Sequence, residues 1–126
     1  MLPSLLVYPV ILHKETVGGF SVEVPDIGWT QGDDPADALA MAQDLIGTAL
    51  AGEDTVPPAT PFDQIEVSAP DMKALVSIDL ELFCRQHPVM VRKHVSIPDY
   101  LNDLGIERGI NFSKLLTEAL HLRLDA

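Results

Sequence analysis

Arg92, His94 and Ser96 stand at alternate positions of "VRKHVSIP" (91–98), with Val91, Val95 and Ile97 filling the other register. Successive side chains of an extended strand point to opposite faces, so one face would carry a guanidinium, an imidazole and a hydroxyl. Those groups suit the edges of base pairs: Arg bonds guanine O6 and N7 together, while His and Ser donate or accept at bases or phosphates. Farther along, Asn111, Phe112 and Ser113 open a helix pattern whose first backbone N–H groups suit a phosphate oxygen, and Lys114 adds a positive charge. Read alone, the strand is equally an edge strand with a solvated face. The two helix patterns that follow it in register favour recognition of DNA.

Other chemistry is poorly served. The chain has no CxxC and no HExxH, and its four His are far apart, so neither a metal nor a cofactor is expected. The single cysteine, Cys84, forms no internal disulfide and suits a reducing cytosol. Neither a Ser-His-Asp nor a Cys-His arrangement has recognisable surroundings, and an enzyme is not expected. The longest apolar run, "LLVYPVIL" (5–12), is far shorter than a membrane span and contains Pro9. A basic leader with a small-residue cleavage site is absent, which predicts a cytoplasmic chain without membrane attachment.

Charge divides the 126 residues. Residues 1–84 hold 2 Lys/Arg against 14 Asp/Glu, and residues 85–126 hold 6 against 5. An acidic front part repels nucleic acid and attracts basic partners, whereas a nearly neutral back part can carry a local basic stripe. The split predicts two modules with two partners: 1–84, a hinge at 85–90, and 91–126.

The elements that must position these groups follow from periodicity. "LLVYPVILH" (5–13) reads as a strand apolar on both faces, with Pro9 marking an edge or bulge. Gly18 and Gly19 supply a turn into the alternating "FSVEV" (20–24), and a short third strand fits around Trp29 to Gln31. Asp34 caps a helix with Pro35 at its first position, and Leu39, Ala42, Ile46, Ala49 and Leu50 give it one apolar stripe up to Gly52. After the proline-rich loop 54–63, "KALVSIDLEL" (73–82) alternates as a strand with Ala74, Val76, Ile78, Leu80 and Leu82 on one side. The front module is therefore β-β-β-α-β, an α+β layer with a helix on one face of a sheet.

The back module is strand, helix (98–108), helix (112–124). Gly105 inside the first helix costs about 1 kcal/mol relative to Ala. About 36 residues cannot bury a sufficient core alone, so dimerisation through the lone strand is expected. Two such strands side by side form a ribbon of the width that enters the DNA major groove.

The back module resembles the ribbon-helix-helix DNA-binding family, through "VRKHVSIPDYL" and "GINFSKLLTEAL". By matching position the resemblance implies base contacts from Arg92, His94 and Ser96, and a phosphate anchor at Asn111 to Ser113. Lys93 departs from the pattern by filling an inward slot that is usually apolar, from which it would snorkel to a backbone phosphate. The front module resembles the HicB antitoxin family, through Tyr8-Pro9, Gly18-Gly19-Phe20, Val24-Pro25-Asp26, Thr30-Gln31-Gly32-Asp33, and Asp37-Ala38-Leu39 with Ala42. "IGWT" after Asp26 is shorter than the family's usual loop. The resemblance covers nearly the whole chain.

It implies a partial RNase H-like front module that binds a small basic HicA-like toxin, an mRNA-cleaving ribonuclease, and a tail that represses the operon by binding operator DNA. Glu23, Asp26, Trp29, Asp33 and Asp34 are the expected toxin contacts. For Trp29 core packing against the helix stands beside that role, for Asp34 helix capping does, and for Glu23, on the outer face of the second strand, a solvated charge does. An RNase H-like fold that itself cut nucleic acid would need convergent carboxylates, and residues 5–13 contain none. The alternative is a ligand-sensing ribbon-helix-helix repressor without a toxin. A homodimer through the ribbon is expected, and the sequence leaves open whether front modules pair into a tetramer.

Overall fold

Apolar side chains on both faces keep Leu5–Lys14 extended as β1, the longest strand. In the computed structural model, which describes residues 5–126, the chain is α+β and divides into two compact units, one ending at Val89 and one spanning Met90–Ala126. Residues 1–4, counted in the expected front module, lie outside the described residues.

In the first unit β1 is followed by β2 (Phe20–Val24), β3 (Gly28–Gly32), α1 (Pro35–Leu50), a 3-10 turn (Phe62–Gln64), β4 (Met72–Asp79) and α2 (Leu80–Gln86). The strands make one sheet in the order β3-β2-β1-β4, and every neighbouring pair is antiparallel. Gly18 and Gly19 take positive φ of 99° and 76° between β1 and β2, a conformation open to glycine at little cost. Pro9 marks neither an edge strand nor a bulge. β1 lies inside the sheet, but β2 pairs with it only from Ile11 onward, while β4 pairs along Leu5–Leu12. The missing N–H of Pro9 thus falls where β1 has a single neighbour.

One face of the sheet carries Leu6, Tyr8, Val10, Leu12, Val22, Val24, Val76 and Ile78 into a continuous core. Ala38, Ala42, Ile46 and Leu50 of α1 cover it; Ala49, expected in that stripe, is exposed. Each fully buried aliphatic side chain contributes about 1.5–3 kcal/mol. α1 starts as expected: the Asp34 carboxylate accepts from the Asp37 N–H at 2.8 Å, and the Asp37 carboxylate accepts from the Asp33 N–H at 2.8 Å. Its first turn sits directly on β3, since a Cβ on Gly32 would lie 2.4 Å from the Ala38 nitrogen.

The strand expected through Leu82 stops at Asp79. The Asp79 carboxylate accepts from the Leu82 N–H at 3.1 Å and caps α2, so Leu80 and Phe83 turn into the core while Leu82 is exposed. Arg85 and Gln86, expected in a hinge, form the last turn of α2. The helix ends there, as His87 before Pro88 requires. Phe83 fills the space beside Gly47 of α1, where a Cβ would meet its ring at 2.5 Å. Gly47→Ala is expected to lower the urea midpoint. A Cβ at 2.5 Å from the Phe83 ring calls for the upper part of the overpacking cost of about 1–3 kcal/mol, more than the ~1 kcal/mol gain in helix propensity. Adding Phe83→Leu should recover the loss, which separates the clash from other effects.

The second unit holds α3 (Asp99–Glu107) and α4 (Phe112–Leu124). Pro98 is the cap of α3 rather than its first residue. Gly105 has a packing reason, because a Cβ there would lie 2.5 Å from the Phe112 ring. Gly109, at φ 68°, turns the chain so that the Ile110 N–H reaches the Gly105 carbonyl at 2.9 Å. The Asn111 side chain accepts from the Lys114 N–H at 3.0 Å and starts α4. Among the described residues no helix is long and apolar enough to cross a membrane.

Candidate functional site

Residues 88–98 contain no helix or strand within one chain, and 91–97 pair with none of the four strands of the sheet. Arg92, Lys93, His94 and Ser96 are all exposed, and so are the residues that alternate with them: Val91 is 77 % exposed and Val95 67 %. Asn111, Phe112, Ser113 and Lys114 lie together at the start of α4, where the Asn111 amide holds the first turn in shape. Phe112 is shared between that turn and the contact with Gly105, so its ring serves packing within the unit.

The apolar side chains of this unit face outward. Leu101, Leu104, Ile110, Leu115, Leu116 and Leu120 are each more than two-fifths exposed or close to it, and Gly105 is its sole buried residue. An open groove of about 470 Å³ is lined by Lys93, Val95, Ile97, Phe112, Leu116 and Ala119. A second groove of about 380 Å³ lies beside it, lined by Leu101, Leu104, Ile110 and Leu115. Apolar surface of this extent on so small a unit marks an interaction site.

In the first unit, the sheet face opposite α1 carries Glu23 and Trp29. Trp29 is 60 % exposed there, so it does not pack against the helix as one reading expected. Its register partner on β2 is Glu23. The two are joined by His13, which the sequence reading passed over. The His13 ring stacks on the Trp29 indole at 5.4 Å between centroids. Its Nε2 lies 3.0 Å from Glu23 Oε1, and its Nδ1 lies 2.9 Å from Asp71 Oδ2. Asp71 also accepts from the Lys14 N–H at 3.0 Å. The Glu23 hydrogen bond, with that of Asp71, holds the His13 pKa above its ordinary value. The same His13 bond, reinforced by Lys14, holds Asp71 below the usual carboxylate range.

Asp26 stands apart from this group, with its carboxylate accepting from the Thr60 N–H at 2.9 Å and the Thr60 hydroxyl at 2.6 Å. It fastens the proline-rich loop, whose Pro57 carbonyl in turn accepts from the Tyr8 hydroxyl at 2.7 Å. Burial, aided by the Asp26 charge, raises the Tyr8 pKa. Asp33 and Asp34 sit at the start of α1, where Asp34 is the cap. The five expected contacts are thus dispersed: Glu23 and Trp29 share the open sheet face, Asp26 ties down a loop, and Asp33 and Asp34 mark a helix end. The hairpin register would have placed His13 beside Glu23, since both point to the same face. Asp71, 58 residues from His13, gave no local signal.

No protein-family model and no curated protein matches the sequence. Among solved structures of similar fold are two from bacterial toxin–antitoxin systems. A toxin–antitoxin complex from Streptococcus pneumoniae aligns with TM-score 0.58 at 24 % identity, over 94 % of this chain and 99 % of that one. The antitoxin HicB of Burkholderia pseudomallei aligns with TM-score 0.53 at 25 % identity, over 90 % of this chain and 95 % of that one. The fold supports the resemblance read from the sequence: the chain is similar to that HicB antitoxin along nine-tenths of its length.

Proposed function

We propose that the chain is the antitoxin of a type II toxin–antitoxin pair, a non-enzymatic protein with two partners. Its first unit, a partial RNase H-like module, binds a small basic HicA-like ribonuclease. Its second unit, a ribbon-helix-helix module, pairs with a second copy and binds operator DNA in the cytoplasm. The observation that carries the reading is the likeness in fold to the HicB antitoxin along almost the full chain, both units included.

The physics of each unit supports it. A ribonuclease surface shaped for phosphates is cationic, and the 14 acidic against 2 basic residues within 1–84 attract and occupy such a surface. The back part holds 6 basic residues against 5 acidic ones, and three of the six, Arg92, Lys93 and Lys114, lie in the two DNA-contacting segments. Paired across a two-fold axis, residues 91–97 would lay Arg92, His94 and Ser96 of both copies on one polar face.

The test uses the first unit cut after Val89, since Leu80 and Phe83 of α2 belong to its core. Residues 1–89 alone should capture a short basic HicA-like protein if one is encoded beside this chain. Binding should weaken as salt rises from 0.1 to 1 M, where the Debye length falls from about 10 to about 3 Å. Capture that requires the tail, or no capture at all, contradicts the division of labour.

A further inference from the structure

Both nitrogens of the His13 ring face a carboxylate: Nδ1 that of Asp71 at 2.9 Å, and Nε2 that of Glu23 at 3.0 Å. An ionised carboxylate only accepts hydrogen bonds, and a neutral imidazole has one N–H. Both bonds therefore hold together only when the ring carries two protons. The two carboxylates are not equally held. Asp71 keeps a second bond, from the Lys14 N–H, whereas no second bond to the Glu23 carboxylate is found among the described residues. The nearby charged groups are already engaged. Glu15 takes the hydroxyl of Ser21, the register partner of His13, and the Lys73 ammonium donates to the Phe62 and Ile65 carbonyls at 2.9 and 3.1 Å.

We propose that His13 is a proton-set clasp on the open face of the sheet: doubly protonated it locks Glu23 beside Trp29, and on losing the Nε2 proton it keeps Asp71 and releases Glu23. Release leaves a free carboxylate beside an exposed indole and takes the net charge of the three groups from −1 to −2. The face then attracts cationic side chains more strongly. The sign follows from the two shifts: the pKa of His13 is raised and that of Asp71 lowered. The clasp is closed between them and opens as pH rises through the raised His13 value. Its contribution to stability is full below the unfolded histidine value and fades over that same rise. The clasp is internal to the first unit and stands whether or not a toxin is the partner.

Trp29 is the chain's only tryptophan, so emission from the full-length protein reports on this face alone. A protonated imidazole quenches a stacked indole more strongly than a neutral one. Emission should rise with pH, with a midpoint above the ordinary histidine value of 6.5. Glu23→Gln should move the midpoint down toward that value, and His13→Gln should abolish the transition. By NMR the Glu23 side-chain carboxyl carbon should shift with the same midpoint while the Lys14 amide proton stays in place. A midpoint at or below 6.5, or a transition that survives His13→Gln, overturns the clasp. A moving Lys14 amide with a static Glu23 overturns the assignment of the released arm.

Discussion

Cut free as residues 88–126, the tail is expected to fold only as a dimer and to lose its helix content on dilution. Among its residues only Gly105 is buried, and a glycine has no side chain to contribute to a core. The stripes of α3 and α4 face outward instead, with Leu101 and Leu120 each 47 % exposed. Helices of nine and thirteen residues are marginal in water without a packed face. In the proposed dimer, two copies would supply what one lacks: residues 91–97 of each would pair and satisfy each other's backbone groups, and the exposed stripes of α3 and α4 would be covered. Folding is then inseparable from protomer concentration. Sedimentation and circular dichroism over a dilution series check this, and a folded monomer would remove the basis for pairing the strands.

Where the controlling contact is local, the sequence was readable. The Asp34 and Asn111 caps act within three residues of themselves, and both helices start where those residues stand. The β1–β2 hairpin followed from two glycines and an alternating strand. Misreadings came where a distant partner decides. Leu80 and Leu82 continue the alternation of β4, yet the Asp79 cap and the hold of the core on Phe83 convert the segment to helix. Gly105 looked like a flaw in α3 until the Phe112 ring was placed against it. The site shows the same divide. Glu23 and Trp29 were among the expected contacts, but the His13 bridge between them rests partly on Asp71, which arrives from the far end of a long loop. Asp26 was also among the expected contacts. The Thr60 bonds that occupy it come from a segment with no periodicity to read.

Arg92→Ala is expected to weaken specific operator binding by about 1–3 kcal/mol, or roughly 5- to 150-fold, and to relax discrimination at one base position in each half-site. The size follows from what is removed. A guanidinium bonds both acceptors of a guanine edge at once, and alanine removes both bonds together. Because Arg92 is exposed and makes no ion pair among the described residues, its loss should leave the fold and dimer unchanged. Lys93 supplies the contrast. If Lys93 contacts a phosphate as proposed, Lys93→Ala should weaken binding uniformly across sequences and reduce the salt slope by about one. Titrating operator and scrambled DNA at several salt concentrations separates the two roles. Equal operator affinity for Arg92→Ala and the parent would mean that the paired segment does not enter the groove. Loss of the salt slope alone would move Arg92 from the bases to the phosphates.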